Sequence, residues 1–117
     1  MGLDQHACTI DEEGNELILA EWRKHNRLQG WMEKLFENKT GKPKNELNCQ
    51  KLYLTKEDVE ALASDINSQK LPKTNGFFYG NDSYERYEIL QTNDEIFIER
   101  AKEALSEGLK VYYTCWW

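Results

Sequence analysis

Apolar residues recur along the chain with two different periods, and each change of period marks an element. Residues 3–10, LDQHACTI, and 16–23, ELILAEWR, flank the acidic segment DEEGN, in which Gly14 and Asn15 accept positive φ, so the two runs predict a β-hairpin. In the second run Ile18, Ala20 and Trp22 fall on one side and Leu17 and Leu19 on the other, which predicts a strand buried on more than one side. From Asn26 the spacing turns helical. Leu28, Trp31, Met32, Leu35 and Phe36 make one apolar stripe with polar residues opposite, with Asn26 as cap and Thr40-Gly41 as the close.

A polar loop, GKPKNELN at 41–48, separates this helix from CQKLYL, which alternates as a short strand. Thr55 and Asp58 then form a capping box, with Leu54 and Val59 at the hydrophobic staple positions and Val59, Leu62 and Ile66 on the buried side. That helix is expected to end near Gln69, ahead of Pro72. Thr92 and Glu95 repeat the capping-box spacing before Phe97, Ile98, Ala101, Ala104 and Leu105, and Gly108 stops the run. The last residues, KVYYTCWW, read as a strand with Val111, Tyr113, Cys115 and Trp117 on one face and Tyr112, Thr114 and Trp116 on the other. The order β-β-α-β-α-α-β, with an irregular stretch before the last helix, predicts one α+β domain over residues 1–117. Its sheet is small and mostly antiparallel, of about four strands in an order left open, with about three helices on one face.

Composition sharpens this picture. A mean hydropathy of −0.82 and 31% charged residues suggest a very polar chain, but four Trp, six Tyr and four Phe give it a core to bury. The net charge is −6, from 21 acidic and 15 basic residues interspersed along the chain. Direct nucleic-acid binding is therefore not expected, because it rests on a basic stripe that displaces counterions. The longest apolar run, LILA at 17–20, is far short of the roughly 20 residues that span a bilayer. With no basic-then-apolar segment at the start, a cytoplasmic location and no membrane partner are expected. Cys8, Cys49 and Cys115 are odd in number and widely spaced, which fits reduced thiols better than a disulfide framework or a zinc knuckle.

Candidate chemistry is sparse. Asp4, His6 and Cys8 alternate, so on a strand they share a face and with one more ligand would hold a metal. An ordinary strand face is the plainer reading, and neither metal nor cofactor is expected. The phosphate motifs GxxxxGK[ST] and GxGxxG are absent, and two histidines without a nucleophile elbow offer little to a Ser or Cys nucleophile. The segment WRKHNR places Arg23, Lys24, Arg27 and His25 beside Trp22, a cluster suited to an anion at the start of the following helix, or else to balancing Glu21 at the surface. Residues 71–87, LPKTNGFFYGNDSYERY, lack periodicity and are rich in aromatics. Either Gly76 and Gly80 bend the chain so that Phe77 and Phe78 enter the core, or Tyr79, Tyr84 and Tyr87 line a cleft.

The opening MGLDQHA, the segment WRKHNRLQGW, ELNCQ, the GFFYG loop and the ending EGLKVYYTCWW, in that order, resemble a group of small proteins encoded by tailed phages and some bacteria. The likeness spans nearly the whole chain, and the group has no established activity. It draws attention to Gly2, Asp4, Trp22, Arg23, Lys24, Trp31, Asn48, Gly76, Phe77, Phe78, Gly80 and Trp116, of which Asp4, Arg23, Lys24 and Asn48 are polar. His6 stands where the group has Tyr, and Gln29 where it has His near the helix Trp, which weakens proton transfer at either position.

Two functions follow as expectations. The first is a non-enzymatic accessory protein of phage type that binds a host protein or a small anionic ligand through Arg23, Lys24, Asn48, Phe77, Tyr79 and Tyr84. The alternative is a small enzyme acting on a nucleotide or other anionic metabolite, with Asp4 as acid or base. The enzyme requires Asp4, Arg23, Lys24 and Asn48 to converge in one pocket. A homodimer through the C-terminal strands or Trp faces is compatible with both.

Overall fold

The computed structural model describes residues 3–23, 25–68, 70–71 and 84–116, and of 84–91 the backbone alone. The hairpin forms from β1 (Asp4–Ile10) and β2 (Glu16–Arg23), paired antiparallel. Asp11 organises its turn: the carboxylate accepts the N–H of Glu13 at 2.9 Å and of Asn15 at 2.8 Å, and only Gly14, at φ 86°, takes a positive φ. The Asn15 amide, followed by the other turn donors, holds the Asp11 carboxyl below its ordinary pKa.

Alternation fails inside β2. Ala7 pairs with Ala20 but Cys8 pairs with Ile18, so Leu19 is an extra residue, a β-bulge. The expectation of a strand buried on both sides is corrected accordingly. Leu19 and Trp22 enter the core, whereas Leu17 and Ile18 are 67% and 52% exposed. Among the described residues β2 lies at the edge of the sheet.

The helix α1 (Asn26–Thr40) begins one residue earlier than the cap expectation requires. His25, not Asn26, is the cap residue, and it makes no side-chain cap bond. Gly41, at φ 71°, donates its N–H to the Glu37 carbonyl at 2.9 Å and closes the helix. Beyond it, a single 3₁₀ turn over Lys44–Leu47 leads to β3, which is limited to Leu52–Leu54. Cys49, expected in that strand, takes φ 64° and instead donates its N–H to the Cys115 carbonyl at 2.7 Å.

α2 (Lys56–Asn67) carries the predicted capping box, with Thr55 Oγ1 accepting the Asp58 N–H at 3.2 Å and Asp58 Oδ2 accepting the Thr55 N–H at 2.9 Å. Burial would raise the pKa of Asp58, but Lys39, which pairs with it, and the Thr55 amide outweigh that and hold it below the ordinary value.

α3 (Tyr84–Ser106) is the largest departure from expectation. It starts eight residues before Thr92, so Thr92 and Glu95 lie inside a helix and form no capping box. It ends as the glycine predicts: Gly108, at φ 83°, donates to the Leu105 carbonyl and Leu109 to that of Ala104, the two bonds of a Schellman motif.

β4 (Lys110–Trp116) inserts between β1 and β3, giving the order β2-β1-β4-β3, with every pairing antiparallel. Because β4 bonds on both sides, its backbone has no edge for a second copy's C-terminal strand. The three helices cover one face of the sheet. Leu3, Ala7, Leu52, Leu54, Val111 and Tyr113 from that face close on Leu28, Met32, Phe36, Val59, Leu62, Ile66, Phe97 and Ala101. The other face carries the row Ile18, Cys8, Tyr112 and Tyr53 from strand to strand. There Lys51 reaches across to Glu16 at 2.9 Å and lies over the Tyr112 ring, and Cys8 and Tyr112 are buried. Burial, then the contact with Cys8, pushes the Tyr112 phenol well above its ordinary pKa.

Candidate functional site

The register brings residues that are distant in sequence to one end of the sheet. Asp4 lies opposite both Arg23 on β2 and Trp116 on β4, and His6 lies opposite both Glu21 and Thr114. Asp4, His6, Glu21, Arg23 and Trp116 from these rows, with Gln5, Trp22 and Asn93 of α3, line a cavity of about 510 Å³. Arg23 Nε stands 3.9 Å from Asp4 Oδ1, and the His6 and Trp116 rings meet edge-on with centroids 4.6 Å apart. The cleft therefore combines a guanidinium, two carboxylates and an aromatic pair, a composition suited to a polar ligand with a flat body.

The floor of the cleft is tied to a buried polar network. The Trp22 indole N–H donates to Asp94 Oδ1 at 2.9 Å, and His25 Nε2 faces Asp94 Oδ2 and Oδ1 at 2.9 and 3.0 Å. Gln5 clamps the backbone of His25 from both sides, accepting its N–H at 2.8 Å and donating to its carbonyl at 3.0 Å. The same amide donates to the Tyr113 hydroxyl at 2.8 Å, which in turn donates to Gln29 Oε1 at 2.5 Å, with Glu33 next in line. Each of these side chains is at least 96% buried, so each polar atom needs a protein partner. The clamp fixes the His25 backbone at the start of α1. Beside this network, burial pushes the Cys115 thiol up to about 12, against a bond from Gln29 and with the help of Glu33.

The structure joins some candidate residues and separates others. Asp4 and Arg23 meet in the cleft. Asn48 stands at the end of the 3₁₀ turn, with Oδ1 3.7 Å from Cys49 Sγ, and does not line the cavity. His25, read as part of an exposed basic cluster, is instead 1% exposed and turned to Asp94. Lys24, Phe77, Phe78 and Tyr79 lie outside the described residues, and Tyr84 and Tyr87 contribute only backbone, at the start of α3. Asp4, His6 and Cys8 do share a strand face, but among the described residues no three His, Cys, Asp or Glu side chains are placed to hold a metal ion.

Glu21, Asn93 and the buried Asp94, Gln5 and Gln29 were not marked as site residues by the sequence. One signal existed: Asp94 falls three residues before Phe97 and seven before Ala101, on the apolar stripe of its helix. The chain matches no protein family, no curated protein and no solved structure. Among the described residues no helix is long and apolar enough to cross a membrane.

Proposed function

We propose that the protein is a non-enzymatic accessory protein that binds a small anionic ligand in the cleft between Arg23, Asp4, Glu21 and Trp116. The observation that carries this reading is the cavity of about 510 Å³, in which the guanidinium of Arg23 shares a wall with exposed aromatic surface. Guanidinium is the side chain best shaped for two-pronged bonds to phosphate or carboxylate. The likeness to small phage proteins agrees with an accessory role.

Binding is favoured over turnover by the position of the acid–base pair. A general base must reach the proton it removes, and His25 and Asp94 are 1% and 0% exposed beneath Trp22. The enzyme reading keeps one support, the presence of Asp4 in the cleft beside Arg23.

The test is thermal unfolding of the purified chain against phosphate monoesters, nucleotides, dicarboxylates and divalent metals. A ligand at a hundredfold excess over its Kd adds about 2.7 kcal/mol to stability. The expected result is a stabilising anion whose effect is lost in Arg23→Ala. Stabilisation that survives Arg23→Ala would place the site elsewhere, and conversion of the ligand into a product lost in Asp4→Asn would establish the enzyme instead.

A further inference from the structure

Among the described residues β2 is an outer strand of the sheet, and its eight residues make it the longer edge, since β3 on the other side has three. Leu17 and Ile18 on it are exposed, and Ile96 of α3 borders a cavity of about 340 Å³ there with Leu19, Ala20 and Arg100. A long edge of this kind is a template for another strand.

The register decides which strand fits. Opposite residues of an antiparallel pair point to the same side of the sheet. Glu16, Ile18, Glu21 and Arg23 stand on the open face, in the rows of Ile10, Cys8, His6 and Asp4. Leu17, Ala20 and Trp22, in the rows of Thr9, Ala7 and Gln5, stand on the helix side, and the bulged Leu19 enters the core with them. The bulge thus sets two neighbours, Leu19 and Ala20, on one side of the sheet. From Glu16 to Arg23 the order is open, helix, open, helix, helix, open, helix, open, which reads the same from either end.

Two copies of β2 laid antiparallel therefore match side for side over the whole strand in one register, about a two-fold axis between Leu19 and Ala20. In that register Glu16 of each copy lies opposite Arg23 of the other, Leu17 opposite Trp22, and Ile18 opposite Glu21. Opposite charges meet at both ends, on exposed side chains. Lys51 already pairs with Glu16, and Asp4 with Arg23, but a carboxylate and a guanidinium each have sites for more than one partner. At the axis the Leu19 carbonyl accepts a hydrogen bond from Arg100 at 2.9 Å, so it needs no partner from a second strand.

We propose that the protein forms a two-fold symmetric homodimer in which the β2 strands join the two sheets into one. A second copy is the occupant that this edge fits, because the strand is complementary to itself in both facing and charge, as an isologous contact requires.

The test is sedimentation velocity of the intact chain from micromolar to millimolar concentration, with amide hydrogen exchange measured alongside. A monomer–dimer equilibrium is expected, and the β2 amides should gain protection as the dimer fills. Glu16→Arg or Arg23→Glu alone sets like charges opposite each other at both ends and should weaken the dimer about 2- to 30-fold. Both substitutions together restore opposite charges and should recover the parent affinity. The two side chains are at the surface, so neither change threatens the core. A monomer at every concentration would overturn the proposal, as would a dimer indifferent to the single substitutions or not restored by the double one. Protection of the β2 amides that is the same at every concentration would mean that the edge is already paired within the chain, and would overturn it too.

Discussion

The layer between the sheet and the helices has two halves built on different principles. One half, formed by Leu52, Leu54, Val59, Leu62, Ile66, Val111 and Phe97, is apolar throughout. The other half runs from Asp94 through His25 and Gln5 to Tyr113, Gln29 and Glu33, and is a chain of hydrogen bonds with almost no access to water. In the apolar half the stabilisation grows with the area buried and tolerates reshaping. In the polar half each group depends on a particular partner, and one lost partner leaves another group unsatisfied. The cleft sits over the polar half, so the part of the core least tolerant of change is the part that holds Trp22, the floor of the cleft, in place.

Truncations on the two sides separate these behaviours. Phe97→Ala, which empties a fully buried site packed edge-on against Trp22 at 5.3 Å, should lower unfolding free energy by about 3–5 kcal/mol in urea titrations. Asp94→Ala should cost a similar amount, about 3–5 kcal/mol, although it removes far less apolar surface, because it strands both Trp22 Nε1 and His25 Nε2. A loss below about 1 kcal/mol for Asp94→Ala would erase the distinction between the halves.

Tyr113→Phe removes only one oxygen, yet it should cost about 1–3 kcal/mol, since Gln5 and Gln29 both lose a partner. Combined with Gln29→Leu, the loss should fall short of the sum by about 0.5–3 kcal/mol. Strict additivity would show that the two side chains are not coupled. In the apolar half, Thr55→Ala should cost about 1 kcal/mol through its cap alone and leave ligand binding unchanged.

Alkali should act on the polar half. The Cys115 thiol titrates near 9.0 when unfolded and is pushed up to about 12 in the fold, so the unfolded chain loses its proton first. Stability is therefore intact below about 9 and is lost as pH rises towards 12. Urea midpoints measured from pH 8 to 11 should fall for the parent chain and fall less for Cys115→Ala; equal slopes would contradict the assignment.

The apolar half was legible in the sequence because its signals are local. The stripe Val59, Leu62, Ile66 and the Thr55–Asp58 box specify α2, and the Gly108 stop and the alternation in KVYYTCWW specify the end of α3 and β4. The polar half was not, because a buried Gln5 or Asp94 is chemically identical to an exposed one until its partner, 20 or 69 residues away, is known. The bulge at Leu19 escaped for a related reason: it is defined by how β2 pairs with Ala7 and Cys8. The early start of α3 was hidden by Thr92 and Glu95, which match a cap spacing that a continuing helix simply overruns. In the site, Asp4 and Arg23 were found from sequence, whereas Glu21 joined them only through its register with His6.

The most direct test of the central claim is an amide and indole NMR titration of the ¹⁵N-labelled protein with inorganic phosphate. The account predicts that the largest shifts fall on Asp4, His6, Glu21, Arg23 and the Trp116 indole, with smaller changes passed to Trp22 and His25 through the floor of the cleft. Shifts centred on other residues, or none at millimolar phosphate, would contradict it.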